Sequence, residues 1–480
     1  MSSAGLKTVA IEEPPGVLPG RAGWRPLLHA AGFTGSAALG GAALSVVATK
    51  IFATMLGPAE VAVLATLQQI RQAGVIGATL GGQTALIQGA SARSGDDRRQ
   101  YLRTVFLLMG TSAALMALGM LAAPGWVASW TGLGIERARM VRWMTVPVMF
   151  SVALVFLNSL LNARGEIGRL AVVQMASPAA LAILAYPVAR AARNGDEDAL
   201  VWWLSAAAVC AAALSLRLLG RRKITAWFPG PAAGWNANWS NANWWNAKAA
   251  RGFLTVSGSI LAGSVASSLV LMAARARILH QQGFAVAGQF DAAWAVSMNH
   301  VSLVLASLQT YCLPLLARTS DRAERSVHLN RMLTAAALAA ATVVCVLAWL
   351  KPVVLVALYS PAFSEAARYL RWTLIGDYLK VSSWVLSIPV LAAADMRVFL
   401  TADLSAYAVF AAGAAAAGHF RGAAEGAAIA FALMYAVHLA VCGWIAWTRY
   451  GFRPGAGTAL IWTGGLALVL GVSAMTWRIP

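Results

Sequence analysis

Long apolar stretches separated by short polar clusters dominate this chain. The stretches run for roughly 18–25 residues, and a helix needs about 20 residues to cross the hydrocarbon core of a bilayer. Most of them lack the polar face that a helix of a water-soluble protein presents to solvent. The pattern predicts an all-α, polytopic membrane protein with twelve transmembrane helices and a candidate thirteenth. The twelve spans are expected at 28–49, 60–89, 104–123, 143–163, 169–189, 199–219, 252–274, 284–316, 332–358, 366–393, 398–417 and 424–447, and the candidate at 457–477.

The longest polar interruption lies at the centre, with six predicted spans before it and six after it. We therefore predict two six-helix lobes. The predicted domains are a disordered cytoplasmic tail at 1–26, an N-terminal lobe at 27–219, a cytoplasmic linker at 220–251, a C-terminal lobe at 252–448 and an extension at 449–480 that holds the candidate helix.

Sequence landmarks recur between the two predicted lobes. Lys50–Gly57 ends the first span and Arg275–Gly283 ends the seventh, while Leu161–Arg169 and Leu391–Arg397 link spans four to five and ten to eleven. This spacing indicates a duplicated six-helix unit in parallel orientation. Transporters built from such repeats bind their substrate at the interface between the repeats.

The predicted linker contains an unusual run in which tryptophans alternate with Asn and Ala, from Gly234 to Asn246. Indole rings prefer the membrane–water interface. The run therefore favours a loop at the membrane surface, with a sugar-stacking platform as the alternative.

Composition and charge agree with a membrane protein. Of the residues, 59% are hydrophobic and 11% are charged, whereas a soluble domain has about 25% charged residues. The net charge of +19 comes from scattered Lys and Arg rather than from a contiguous basic patch, which argues against nucleic acid as a partner. Basic residues are more frequent in the loops on the N-terminal side of the membrane, which predicts a cytoplasmic N-terminus.

Polar residues inside the predicted spans mark the candidate substrate cavity, because charge at bilayer depth usually faces a wet lumen or a partner. They form stripes on spans two, eight and ten, and two more cations lie near the end of span seven. The candidate cavity residues are Gln68, Arg71, Gln72, Arg275, Arg277, Asp291, Asn299, Asp377 and Lys380.

Several of these residues have a second interpretation. Asp377 and Lys380 form either a lumen-facing pair or a local ion pair at i, i+3, and Arg71 either lines a cavity or extends to the interface. Arg275 and Arg277 lie at a cavity mouth or snorkel to the membrane surface. The excess of cations over the three acids Asp291, Asp377 and Asp403 favours an anionic cargo.

The exit of span one, Ala53-Thr-Met-Leu-Gly-Pro-Ala-Glu-Val-Ala62, resembles the "A-R-x-L-G-P-x-x-x-G" opening of the Wzx-type polysaccharide-repeat-unit flippases. These belong to the multidrug/oligosaccharidyl-lipid/polysaccharide (MOP) exporter superfamily. The start of span twelve, Gly422–Ala430, resembles their "G-x-x-G-A-A-x-A" segment, and Leu161–Arg169 resembles their link between spans four and five. The similarity covers about residues 28–450. Thr54 replaces the usual Arg, and Ala62 replaces the second Gly.

The resemblance implies a transporter in the bacterial inner membrane that is not an enzyme. It would move an undecaprenyl-diphosphate-linked oligosaccharide from the cytoplasmic to the periplasmic leaflet by alternating access. Membrane lipids, a polysaccharide polymerase and export machinery are the implied partners. Coupling to an ion gradient is implied for some members, and Asp291, Asp377 and His300 are the candidate carriers, although a lone histidine such as His300 is more often a packed residue than a proton carrier.

Two rival functions remain. One is a multidrug exporter of the same superfamily, and the other is a membrane-bound glycan polymerase or glycosyltransferase. Such enzymes usually need a sizeable segment outside the membrane that holds catalytic carboxylates or arginines. The long central segment between Gly220 and Arg251 has no carboxylate, which argues against the enzyme. No P-loop, H-E-x-x-H or G-x-S-x-G motif occurs, which argues against an ATP-driven pump or a hydrolase. The sequence predicts neither a cofactor nor a metal.

Overall fold

A computed structural model describes residues 24–220, 245–319, 321–393 and 395–476. The predicted tail therefore lies outside the described residues up to position 23, as does the tryptophan-rich run up to position 244. The side chain of His300 also lies outside the description.

The described part of the chain is helical and contains no β-strand. Two 3₁₀ turns accompany the α-helices, at Ile135–Arg137 and Pro361–Phe363. In chain order the α-helices are α1 (Trp24–Met55), α2 (Gly57–Ala78), α3 (Gln83–Ser91), α4 (Gly95–Ala122), α5 (Pro124–Trp130), α6 (Ala138–Trp143), α7 (Thr145–Ala163), α8 (Ile167–Arg193), α9 (Ala199–Leu219), α10 (Ala247–Arg318), α11 (Arg322–Leu358), α12 (Ala366–Ala392), α13 (Met396–Arg421), α14 (Ala423–Tyr450) and α15 (Ala456–Met475).

Ten helical stretches among the described residues are long and apolar enough to cross a membrane. The prediction of an all-α, multi-pass membrane protein is confirmed. The candidate thirteenth span is one of the ten, as helix α15.

Helix α10 contains spans seven and eight, which the sequence placed on either side of a short loop. The only non-helical backbone inside it is at Gly283, with φ 83° and ψ 174°. Arg275 and Asp291, each eight residues from Gly283, are hydrogen-bonded to each other. In a straight helix residues 16 apart would be separated by about 24 Å, so the chain folds back at Gly283. Gly57, its counterpart between α1 and α2, has φ 79°.

The single span predicted at 60–89 is interrupted in the structure. Helix α2 ends at Ala78 and α3 begins at Gln83, and Leu80 and Gly81 between them have positive φ values of 55° and 61°. Glycine at position 81 adopts a positive φ without steric cost because it has no Cβ. Glycine at position 82 allows close packing on α10, where a Cβ on Gly82 would lie 2.1 Å from the Phe253 ring.

Helices pack in two groups that meet mainly through α10. The first group joins α1 to α8 and α8 to α9, with α7 against α9 and α2 against α4. The second group comprises α11–α15, in which α14 packs on both α12 and α13. Helix α10 contacts α2 on one side and α12 on the other. The predicted lobe boundaries agree with this packing but stay a prediction.

Helix α15 is joined to the second group by buried polar contacts. The Lys351 ammonium on α11, 2% exposed, donates to the Thr476 carbonyl at 2.6 Å. The Tyr378 hydroxyl on α12 donates to the Trp462 carbonyl at 2.7 Å, and the Trp462 indole donates to Ser382 at 3.0 Å. These contacts anchor α15 at both its middle and its end.

Candidate functional site

A polar cavity of about 400 Å³ lies between the first group of helices and the second part of α10. Helices α1, α2, α8 and α9 form most of its wall. Four of the predicted site residues line it together: Gln68, Arg71, Asp291 and Asn299. Their convergence follows from the side-by-side course of α2 and the second part of α10, which both begin at the end of the bundle that carries Gly57 and Gly283.

Arg71 is the cation that faces this cavity. Its Nη1 donates to the Ser151 hydroxyl on α7 at 3.2 Å, and its buried Nε has no hydrogen-bond partner. Among the residues that the structure describes, no carboxylate lies within ion-pair distance of Arg71. Burying an unpaired charge is costly, so the guanidinium is suited to an anion that enters the cavity.

Asp291, the acid in the cavity wall, is neutralised from behind by Arg275. The Arg275 Nε donates to Asp291 Oδ1 at 2.8 Å, and Nη2 donates to Asp291 Oδ2. The same guanidinium donates to the Thr66 hydroxyl and the Ala62 carbonyl on α2, each at 2.6 Å. Arg275 is 6% exposed, so it neither snorkels nor lines a cavity mouth. The net charge of the cavity wall is therefore that of Arg71.

Tyr359, in the turn after α11, completes one edge of the cavity. Burial, together with the nearby Asp291 carboxylate, raises the pKa of the Tyr359 phenol above its usual range. The hydroxyl therefore stays protonated at physiological pH and adds a neutral donor to the wall.

The two groups of helices are in close contact at the end of the bundle that carries Gly57 and Gly283. A Cβ on Gly288 would lie 1.9 Å from the Pro58 carbonyl oxygen, so α10 and α2 approach each other there as closely as backbone allows. The Lys50 ammonium donates to the Val356 carbonyl at 2.6 Å, and the Ser360 hydroxyl donates to the Ala53 carbonyl at 3.3 Å. This end of the cavity is closed.

Lys380 lies elsewhere, in a separate cavity of about 220 Å³ within the second group. The sequence predicted one lumen containing both Arg71 and Lys380, whereas the structure places them in different cavities. Lys380 lies above the rings of Phe431 and Tyr435, with its Nζ 5.9 Å and 5.4 Å from their centroids.

Asp377, three residues before Lys380, is only 1% exposed. Its carboxylate accepts from the Ser297 hydroxyl at 2.9 and 2.8 Å. The stripe predicted along α12 is thus divided between buried Asp377 and cavity-lining Lys380. Ion coupling through Asp377, Asp291 or His300 stays a prediction.

Two further predicted residues lie at the periphery. Gln72 is exposed beside Arg71 on α2. Arg277 is half-buried against α13, where its Nη1 is 3.5 Å from the Ala414 carbonyl. The structure therefore brings four of the nine candidates to the polar cavity, with Arg275 directly behind them.

The cavity around Lys380 contains groups that the predicted site did not include. His438 on α14 lies 3.4 Å from the Asp403 carboxylate and 3.1 Å from the Ser383 hydroxyl. The signal for His438 in the sequence was a lone histidine in an apolar span, which does not reveal its partners on α12 and α13.

A buried carboxylate was also missed. Glu425 at the start of α14 is 1% exposed and forms ion pairs with Arg368 and Arg371 of α12. Trp372 donates to the same carboxylate at 3.2 Å. Both guanidinium groups share this carboxylate partner, whereas Arg71 has none among the described residues.

No protein-family model matches the sequence, and no curated protein matches it. Solved structures do match. A lipid II flippase MurJ in an inward closed conformation aligns with a TM-score of 0.68 at 13% identity, covering 94% of this chain and 97% of that chain. The chain has the fold of the MOP-superfamily transporters.

Two other MOP-superfamily structures extend the comparison. An inward-facing multidrug resistance MATE transporter gives a TM-score of 0.69 at 12% identity, covering 90% of this chain and 95% of that chain. A transporter from Pyrococcus furiosus, described as having a binding pocket of reverse polarity that suggests a different function, gives 0.63 at 12% identity, with 92% and 96% coverage. At such identities the likeness shows the fold alone, and the polarity of the pocket must be read from this chain's own residues.

Proposed function

We propose that this protein is a flippase for anionic, lipid-linked oligosaccharides. It would move undecaprenyl-diphosphate-linked repeat units from the cytoplasmic to the periplasmic leaflet by alternating access, for synthesis of a cell-surface or secreted polysaccharide. The observation that carries the proposal is Arg71, a guanidinium in the cavity wall without a carboxylate partner among the described residues.

A diphosphate matches this wall chemically. The planar guanidinium of arginine forms two parallel hydrogen bonds to phosphate oxygens, and charge-assisted bonds of this kind are about twice as strong as neutral ones. Gln68 and Asn299 line the same cavity with amide groups, which both donate to and accept from sugar hydroxyls. The structural likeness to MurJ, a lipid II flippase, supports the same substrate class.

The rival function of multidrug export is less well supported by the charges. A cavity for cationic drugs needs an available carboxylate, but Asp291 is already bonded by Arg275. Cationic cargo would also meet the uncompensated charge of Arg71. The MATE likeness bears on the fold and leaves this electrostatic argument unchanged.

The proposal includes an orientation. With the N-terminus in the cytoplasm, as the distribution of basic residues predicts, the closed end at Gly57 and Gly283 would face the periplasm of a bacterial inner membrane. The cavity would then receive its substrate from the cytoplasmic side. Association with a polysaccharide polymerase and export machinery stays a prediction.

The direct test is transport by the purified protein in proteoliposomes. A fluorescent undecaprenyl-diphosphate oligosaccharide is placed in both leaflets, and the fraction accessible to a membrane-impermeant quencher is followed over time. Wild-type protein should exchange the lipid between leaflets, and Arg71→Ala should reduce the rate at least about tenfold. Arg99→Ala is the matched control, because Arg99 is an exposed arginine paired with Asp96 at the surface.

Loss of exchange in Arg71→Ala with normal exchange in Arg99→Ala supports the proposal. If wild-type protein moves none of several polyprenyl-diphosphate oligosaccharides but moves a lipophilic cation, the flippase assignment is wrong and drug export takes its place.

A further inference from the structure

A second, apolar cavity of about 610 Å³ is lined by α4, α7 and α9. Its wall consists of Phe, Met, Leu, Val, Ala and Gly residues. Phe106, Phe150 and Leu216 on its rim are 47%, 40% and 51% exposed. An apolar opening of this kind on a membrane protein faces the hydrocarbon of the bilayer, so we refer to it as the lipid-facing groove.

The groove adjoins the polar cavity at Arg71. Helix α7 presents Ser151 to the Arg71 guanidinium at 3.2 Å, while the flanking residues Phe150 and Val152 line the groove. On α9, Leu204 lines the polar cavity and Val209 lines the groove. These two positions are five residues apart, which is about 7.5 Å along a helix. One molecule can therefore place its charged group at Arg71 and its apolar chain in the groove.

We propose that the lipid-facing groove binds the polyprenyl chain of the substrate while its diphosphate is bound at Arg71. The inference rests on the proposed flippase function and names a second subsite for the same ligand. The chain is a branched hydrocarbon, and the groove offers carbon surfaces with no polar side chain to desolvate.

The depth of Arg71 favours a transported lipid over a resident phospholipid. Arg71 lies 14 residues beyond Gly57, the first residue of α2, which is about 21 Å along the helix. The hydrocarbon core is about 30 Å thick. On these numbers Arg71 lies about 9 Å from the opposite boundary, so a phospholipid phosphate that stays at either surface remains about 9 Å or more from its backbone, whereas a lipid in transit between leaflets brings its phosphate to that depth.

Gly110 provides a way to fill the groove without disturbing the fold. It lines the groove on α4, and a Cβ built on it would meet nothing within 4 Å. Gly119 on the same helix also has nothing within 4 Å but does not line the groove. Gly110→Trp and Gly119→Trp therefore make the same chemical change on the same exposed helix, inside and outside the groove.

The experiment measures binding of undecaprenyl diphosphate and of inorganic diphosphate to the purified full-length protein in nanodiscs. Gly110→Trp should weaken binding of undecaprenyl diphosphate about tenfold, equivalent to about 1.4 kcal/mol, and leave inorganic diphosphate unchanged. Gly119→Trp should bind both as wild type does. Arg71→Ala should weaken both, because it removes the contact to the head group.

A photoreactive polyprenyl diphosphate supplies a second readout. With the protein in detergent solution, its chain should cross-link to α4, α7 or α9, and excess undecaprenyl diphosphate should compete while excess phospholipid should not. Equal competition by phospholipid, or wild-type binding by Gly110→Trp, would overturn the groove assignment and leave the flippase proposal standing. If wild-type protein binds no polyprenyl diphosphate at all, the proposed function fails, and the groove assignment fails with it.

Discussion

The Arg275 guanidinium and the Asp291 carboxylate form a buried ion pair across the fold-back of α10, with Nε and Oδ1 2.8 Å apart. The pair also reaches α2 through Thr66 and the Ala62 carbonyl. It therefore holds three helical segments together beside the cavity and cancels the negative charge that Asp291 would otherwise contribute.

Removing one partner should be far more harmful than removing both. Arg275→Met or Asp291→Leu leaves an uncompensated buried charge, and each should lower stability by about 3–5 kcal/mol. The double variant should recover much of this loss, because it leaves no buried charge unpaired. Thermal unfolding of the four proteins in detergent completes a double-mutant cycle. Additive losses would contradict a direct interaction.

The close approach of α10 to α2 should depend on Gly288. In Gly288→Ala the new methyl group would collide with the Pro58 carbonyl, so the closed end should separate. Spin labels at Lys50 and Val356 should report a longer and broader distance distribution than in the otherwise wild-type protein. Gly258→Ala, on the same helix with nothing within 4 Å, should leave the distribution unchanged. An unchanged distance in Gly288→Ala would show that the helices accommodate the methyl group.

Arg71 and Lys380 should differ in their effect on substrate binding, because they line different cavities. Hydrogen bonds to charged groups contribute about 1.5–3 kcal/mol, so Arg71→Ala should raise the Kd for undecaprenyl diphosphate about ten- to hundredfold. Lys380→Met should change it less than about twofold. Direct binding measurements on the purified variants decide this, and the reverse order would move the head-group site into the second group of helices.

The attachment of α15 should depend on the Lys351 ammonium. Lys351→Met removes its hydrogen bond to the Thr476 carbonyl and leaves that carbonyl unsatisfied, at a cost of about 1–3 kcal/mol. Thr476→Ala is the matched control, because it keeps the backbone carbonyl and loses only a hydroxyl that bonds to Val472 within its own helix. Thermal unfolding should show a lower Tm for Lys351→Met alone. Equal losses in both variants would assign the effect to the helix end rather than to Lys351.

The helical, membrane-spanning nature of the chain could be predicted because hydrophobic runs report directly on the thickness of the bilayer. The break at Leu80–Gly81 was missed, since a Gly-Gly pair in an apolar run is compatible with a continuous span until Phe253 is packed against it. The polar stripe on α2 is visible in the sequence, and its residues Gln68 and Arg71 line the polar cavity in the structure; a role in substrate binding stays a prediction.

Contacts between distant helices were beyond reach of the sequence. Arg275 could be interpreted as snorkelling only because nothing along the chain shows that α10 folds back to meet Asp291. The sequence shows that Lys380 and Arg71 are charged and lie deep within a span, and we therefore predicted one lumen for both. It does not show which neighbouring helices the polar face of each helix packs against. The same limit hid His438, whose partners lie on two other helices.

The one-residue reversal at Gly283 also has a practical consequence for protein engineering. A conventional surface loop accepts an epitope, a protease site or a fluorescent insert, because its ends are free to move apart. Here an insertion between Gln282 and Phe284 would separate arms that Arg275 and Asp291 hold together only eight residues away on each side. A tag at this position should abolish expression of the folded protein, and topology reporters for this face of the membrane are better carried by other turns.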